Sequence, residues 1–445
     1  LPSFSDLLAK EVEAKKSLLE KCFTHQESSI KSLLDEKLRY YWVDFAAQPS
    51  HDLSVVAVDA GVYSRVYANG VAISIARGIA ITSSGREYKV LNLDVSSTVK
   101  KRHFPSYLEF LSELTEYSAA SLALQSEKDV DIVLIDGSLH GRLLHTPVSL
   151  NVGSNPALYI DLMSNFMEFY EKARKQNALV VGVSKDSTAS IFKKYLLEEI
   201  LASLLKDQGE DIIVSALNVL KVLKERRSLS IIKAQELASK LPSHIASLFR
   251  ELYEEYVYGE TDFAFIHRNV SQGNINVGFS MPMLLGCTSI RIKRFVDEAE
   301  RVGYEKVIEQ TWKDYVVGLD QDEISFVKSA AQKLRKVFEV FPTVASFYIV
   351  LNKLDLPLRV EFFMPHGQSF FKSDNLSFLS LETPFMDEVL SLISAGYGGP
   401  NLYNVWLTAA HKLAKMSRKA FDVYEKQIFE QCGIEVSKLR RSWLV

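Results

Sequence analysis

Two short runs, Ile132-Val-Leu-Ile-Asp136 and Leu179-Val-Val-Gly-Val-Ser184, are apolar at almost every position instead of every second one. A strand with one wet face alternates. A strand that does not alternate needs apolar cover on both faces. Two such strands commit the chain to a sheet enclosed by helices. Helical spacing flanks them, over about 106–126 (begun near Pro105-Ser106) and over 158–176. Ahead of them, residues 54–59, 70–76, 79–83 and 88–94 are short, rich in Val and Ile, and separated by Gly-containing turns, which predicts an antiparallel meander. Strands, helix, strand, helix, strand is the order of an α/β domain with a mixed sheet.

The rest of the chain extends this core. Residues 4–48 have helical spacing (Leu7, Leu8, Val12, Leu18, Leu19, then Ile30, Leu33, Leu34, Leu38) that suits covering a sheet or pairing with another subunit. Residues 190–260 are mostly helical, and 262–320 show no clear period. Strand signals return at Val344-Ala-Ser-Phe-Tyr-Ile-Val350 and Leu358-Arg-Val-Glu-Phe-Phe363. A helix near 383–394, a Gly-rich turn (Gly396-Tyr-Gly-Gly-Pro400) and a long helix from Asn401 close the chain. The expected organisation is an N-terminal helical segment (1–50), a first part of the core (51–190), a mainly helical insertion (191–330) and a second part of the core (331–445).

With 445 residues the chain exceeds one ordinary core. No apolar run reaches the length of a membrane span, and the first residues carry no basic-then-apolar signal, so membrane association is not expected. Cys22, Cys287 and Cys432 lie far apart and form no CxxC pair, which fits a cytoplasmic, reducing setting. A net charge of −3 means that any nucleic-acid binding must come from local patches such as Lys100–His103, Lys224–Arg227 or Arg291–Arg294.

Two carboxylates share one setting. Asp59 follows Val55-Val-Ala-Val and Asp136 follows Ile132-Val-Leu-Ile, and each leads into small residues, Ala60-Gly61 and Gly137-Ser138. Ligands of open α/β sheets bind at the carboxyl ends of strands. If the two strands are neighbours, the carboxylates lie close together, and either one is protonated or a cation bridges them. Hard divalent ions take carboxylate oxygens, and a pair of them can clamp an in-line phosphoryl displacement. The plainer alternative is that each Asp simply begins a turn. The intervening helix offers Glu113, beside its apolar stripe (Tyr107, Leu111, Leu114, Ser118, Leu122), as a third acidic ligand, with Glu109 second; Glu116 is expected to point outward. His411 lies off the apolar stripe of the closing helix and by pattern is an ordinary exposed histidine. Lys185, after the third strand, is either a phosphate contact or a solvated loop residue.

Strand with Asp, meander, helix with Glu, strand with Asp resembles the ribonuclease-H-like fold. More narrowly, Val56-Ala-Val-Asp59 with Gly61, Val133-Leu-Ile-Asp-Gly-Ser-Leu139, Val181-Gly-Val-Ser-Lys185 and Ala409-Ala-His411 resemble, in order, the motifs of the NurA nucleases, the archaeal partners of the HerA helicase-translocase. The resemblance implies a ribonuclease-H-like mixed sheet flanked by helices. It implies Asp59, Asp136, His411 and Glu113 as catalytic metal ligands for Mn²⁺, with Mg²⁺ possible. It also implies a homodimer and 5′ to 3′ degradation of DNA in end resection. The family usually has Asp-Gly-Ser after the first strand as well, where this chain has Asp59-Ala-Gly61.

Two other functions fit parts of the pattern. An ATPase or phosphotransferase of the actin, hexokinase and Hsp70-like group shares the core fold. For that group, Val58–Arg65 would be a phosphate loop and Gly396–Gly399 an adenosine loop, although the second phosphate loop lacks its glycines. A non-catalytic DNA-clamp subunit would keep the fold without the chemistry.

Overall fold

The computed structural model describes residues 3–23, 28–45, 53–96, 103–150, 152, 155–185, 187–223, 227–316, 323–365, 367–373 and 377–434. The chain forms two compact units, one of residues 1–42 with 187–276 and one of 43–186 with 277–445. The expected N-terminal segment and part of the expected insertion thus share a unit, while 277–330 belongs with the sheet.

The first unit is helical: Phe4–Ala14, Lys16–Phe23, Ser29–Tyr40, Ile191–Leu204, Glu210–Leu223, Arg227–Ser239, Ser243–Tyr258 and Asp262–Ser271. The helix Ile191–Leu204 has no side-chain cap of its own. The buried Asp262 carboxylate supplies one, accepting from the backbone N–H groups of Ile191 (2.7 Å), Phe192 (3.0 Å) and Lys193 (2.8 Å). A carboxylate at a helix N-terminus satisfies orphan donors and meets the positive end of the dipole. Lys193 is fully buried and paired to Glu255 at 2.8 Å.

The sheet contains β1 (Trp42–Asp44), β2 (Val55–Val66), β3 (Ala72–Thr82), β4 (Glu87–Ser96), β5 (Ile132–Asp136), β6 (Leu179–Ser184), β7 (Gly278–Ser280), β8 (Met283–Leu285), β9 (Val344–Val350), β10 (Leu358–Phe363) and β11 (Ser377–Phe378). The main path runs β1-β7-β9-β10-β6-β5-β2-β3-β4. β2, β5 and β6 are mutually parallel, while β2-β3-β4 is the expected meander and β10 is antiparallel to both neighbours. Helices cover both faces, so the expected ribonuclease-H-like mixed sheet flanked by helices is what forms.

Side-chain alternation fixes the two faces. Val55, Ala57, Leu134, Val181 and Val360 pack with Leu392, Leu407, Ala410 and Ala414, residues of the helices Met386–Gly396 and Val405–Ala414. The opposite face carries the helix Phe104–Ser126, itself joined to Leu158–Lys175 by a Tyr117–Phe166 stack at 4.3 Å. Two expected strands, 70–76 and 79–83, are one strand, β3. Gly78 between them makes no turn. It lets the helix approach, since a Cβ there would lie 2.5 Å from the Thr115 carbonyl oxygen. The long closing helix from Asn401 is two helices, Val405–Ala414 and Arg418–Cys432, each with its own side-chain N-cap from Asn404 and Ser417. The stretch expected to show no clear period, 262–320, holds helices, the longest Ile290–Val302 with Ile292, Val296 and Ala299 buried at helical spacing, and strands of three residues too brief to alternate.

Candidate functional site

The site forms where β5 stops and its parallel neighbour β2 continues. Register pairs Val58 with Ile135, so Asp59 and Asp136 come next side by side. Asp59 therefore does not end its strand as expected. β2 runs on to Val66 because β3 keeps pairing with it, and the opening is made by the end of β5 alone. By alternation both carboxylates point to the face bearing the helix Val405–Ala414, following Val55 and Ala57 in one strand and Ile132 and Leu134 in the other.

That helix can lie close because of Gly61, which shares Asp59's face: a Cβ there would sit 2.5 Å from the Ala414 carbonyl oxygen. Arg77, opposite Gly61 on β3, donates to the same oxygen at 2.9 Å. The close docking brings His411 to the site, with Nδ1 2.8 Å from Asp59 Oδ2. Donor atoms of Asp59, Asp136 and His411 all lie within 4.8 Å of one another. Lys185, on the same face of β6 as Val181 and Val183, places Nζ 3.2 Å from Asp136 Oδ2. Tyr403 donates to the same oxygen at 3.0 Å, and the Lys185 ammonium lies over its ring at 4.3 Å.

Charge is crowded here. Burial raises the Asp59 pKa and the neighbouring Asp136 raises it further, against hydrogen bonds from His411 and from the Ala60 N–H at 2.8 Å. The Tyr403 phenol is raised by burial and by Asp136. Two carboxylates and one imidazole are a hard, mostly oxygen donor set that could hold a divalent ion of the Mg²⁺ or Mn²⁺ type, the nitrogen favouring Mn²⁺.

The acidic helix places its glutamates differently from expectation. Glu113 is buried on the other face, with both oxygens 3.0 Å from His145 Nε2. Burial acts to raise its pKa, but Arg142 and His145 outweigh it and hold it low. Glu109 groups with Glu113 and His145, away from Asp59 and Asp136. Glu116, expected to face outward, is the glutamate that feels Asp59. Burial, with Asp59 and Glu113 adding to it and Arg142 opposing, pushes its pKa to about 8. Its Oε2 accepts from Arg142 at 2.8 Å, while its buried Oε1 has no hydrogen-bond partner among the described residues. The buried side of this helix runs through the small residues Thr115, Ala119, Ala120 and Ala123, with Leu122 left outside. Close packing on Gly78 selects small side chains, so the expected stripe is buried at Tyr107 and Leu111 but left outside at Leu122. The signal for Glu116 was its place at the head of that small-residue run. Tyr403 had no such signal, because it stands in a turn.

The Gly-rich turn that an adenosine-binding reading would use has a local role. Gly396 makes room for the Asn404 amide and the Trp406 ring, and Gly398 for Leu402. The turn so tightened returns Tyr403 to the sheet. Of the basic patches, 100–102 and 224–226 lie outside the described residues, whereas Arg291 and Arg294 are exposed on the helix Ile290–Val302.

The NurA domain family model matches residues 53–416. No curated protein matches the chain. Among solved structures, the NurA nuclease from Sulfolobus solfataricus aligns at 13% identity over 96% of this chain and 98% of that one, with a TM-score of 0.51. A NurA structure with manganese aligns at 16% identity over 95% and 97%, with a TM-score of 0.37. Another, bound to dAMP and manganese, aligns at 13% over 93% and 92%, with a TM-score of 0.35. A family match covering most of the chain, with both motif aspartates side by side on parallel strands, leads to one conclusion: the chain belongs to the NurA family of nucleases.

Proposed function

We propose that this protein is a metal-dependent deoxyribonuclease that hydrolyses phosphodiester bonds at Asp59, Asp136 and His411. One observation carries the proposal: two carboxylates and an imidazole converge within 4.8 Å at the carboxyl end of a parallel strand. A divalent ion bound there would neutralise charge on a phosphate and make water nucleophilic at neutral pH. Asp59 and Asp136 would hold the ion, whose charge would offset their repulsion. His411, half exposed, completes the donor set from the solvent side. Lys185 swings from Asp136 to a phosphate oxygen, with Tyr403 steering it through their ring contact. A cation bound beside Asp59 would favour loss of the proton that burial keeps on Glu116.

Family membership supports finer features of the same proposal. These are Mn²⁺ as the working ion, 5′ to 3′ exonuclease and single-strand endonuclease action, a homodimer in the cytoplasm, and end resection beside a HerA-type helicase. The test is to incubate the protein with end-labelled single-stranded DNA, with and without Mn²⁺. The expected result is a metal-dependent product ladder that Asp59→Asn and Asp136→Asn abolish. A ladder equally strong from both variants refutes the site.

A further inference from the structure

A carboxylate distant from Asp136 in sequence reaches the turn that follows it from the other face of the sheet. Glu361 lies in the middle of β10, within Leu-Arg-Val-Glu-Phe-Phe, and has no exposed surface. It pairs with Gly182 across β6, on the face opposite Val181 and Val183 and so opposite the Asp136 side chain. Its oxygens are occupied. They accept from Ser138 Oγ at 3.0 and 3.1 Å and from the His140 N–H at 2.8 Å, and Arg359 Nη2 lies 2.5 Å away. A buried carboxylate on an apolar strand costs several kcal/mol unless its partners compensate, so these three donors explain how it is tolerated there.

What Glu361 grips is the turn after Asp136. Ser138 caps the helix Leu139–Leu143, its Oγ accepting from the Gly141 N–H at 2.8 Å. The same helix carries Arg142, whose Nη2 donates to the Asp136 carbonyl at 2.9 Å and to Glu116 at 2.8 Å. Gly182 lets the turn settle on β6, since a Cβ there would lie 2.7 Å from the Gly137 carbonyl oxygen. A line of contacts therefore runs from Glu361 through Ser138 and the short helix to Arg142, and from there to both Asp136 and Glu116.

We infer that Glu361 is a positioning residue that sets the orientation of Asp136, and through it the affinity of the metal centre. This rests on the proposed function. Outer partners that orient metal ligands commonly govern affinity by 10- to 100-fold. In Glu361→Gln side-chain volume is kept, but the charge that pairs with Arg359 is lost and one acceptor oxygen becomes an NH2 group facing donors, so the hold on the turn loosens.

The experiment measures Mn²⁺ binding directly, by titration followed by electron paramagnetic resonance without DNA. Wild type, Glu361→Gln, Ser138→Ala and Asp136→Asn are compared, with thermal melts of each. Glu361→Gln is expected to weaken Mn²⁺ about 10- to 100-fold and Ser138→Ala about three- to tenfold. Ser138→Ala, at a partly exposed site, gives the result if the buried variant does not fold. Wild-type binding with both variants within twofold of it overturns the inference, whatever their melting temperatures, because a merely structural prop would lower stability and leave affinity alone. Wild type binding no more Mn²⁺ than Asp136→Asn overturns the metal-centre reading itself, and the inference falls with it.

Discussion

Replacing Asp59 with Asn separates the two roles of its charge. With no ion bound, Asp59 and Asp136 have oxygens within 4.8 Å of each other. At an effective dielectric of about 20, two unit charges at that distance repel by about 3.5 kcal/mol. His411 offsets part of this, but its side chain is 50% exposed, so its contribution is screened. The raised Asp59 pKa shows which side prevails: the fold disfavours the ion. A group whose folded pKa lies above its unfolded value loses its stabilising contribution as pH rises through the folded pKa. At pH 8 with EDTA, Asp59→Asn is therefore expected to be more stable than wild type by about 1–2 kcal/mol. In a sheet unit of about 310 residues, that is roughly 2–3 °C in melting temperature. With Mn²⁺ at about 100 times its dissociation constant, wild type gains about 2.7 kcal/mol, or about 4 °C. Asp59→Asn should lose most of that gain, reversing the order of the two proteins. Scanning calorimetry at both conditions reads the crossover. A metal-free variant melting more than 2 °C below wild type, or an equal Mn²⁺ shift in both, refutes the argument.

Lys185→Ala should slow single-turnover cleavage of end-labelled DNA about 10- to 100-fold, less than the roughly 100- to 1,000-fold typical of a buried donor because its side chain is 38% exposed, with Lys185→Arg recovering part of it. A rate within twofold of wild type would exclude Lys185 from the chemistry. Gly61→Ala drives a Cβ against the Ala414 carbonyl oxygen and should cost about 1–3 kcal/mol in urea unfolding, while weakening Mn²⁺ by displacing His411. An unchanged midpoint would contradict the close helix approach. Burial, with Arg359 adding to it, pushes the His140 pKa down to about 4. The unfolded chain then binds the proton more tightly, so stability is full above pH 6.5 and falls towards pH 4, by up to about 3 kcal/mol. Denaturant titrations of the metal-free protein at pH 7 and pH 4.5 should show the fall, and His140→Asn should flatten it.

The framework was legible wherever a strand is apolar on both sides. Ile132–Asp136 and Leu179–Ser184 stand where unbroken runs placed them, and the two aspartates are neighbours because those strands and β2 are parallel and in register. What stayed hidden depends on approach distance, which a one-dimensional pattern does not carry. Gly78 looked like a turn and is a packing surface, and this shifted the buried stripe of the helix above it from Leu114 and Leu122 to Thr115 and Ala119. The same shift turns Glu116 towards Asp59 and leaves Glu113 with His145. His411 was an exposed histidine by periodicity, and half of its side chain is indeed exposed, yet its inner nitrogen meets Asp59. Tyr403 and Glu361 were not singled out, one in a turn and one in a strand whose neighbours were unknown.

The hydrogen bond between His411 and Asp59 spans 352 positions of the chain. During translation the aspartates leave the ribosome long before the histidine does. Until the helix Val405–Ala414 has emerged and docked, the nascent polypeptide lacks the imidazole of the proposed donor set, so the three groups meet only after the chain between them has been made.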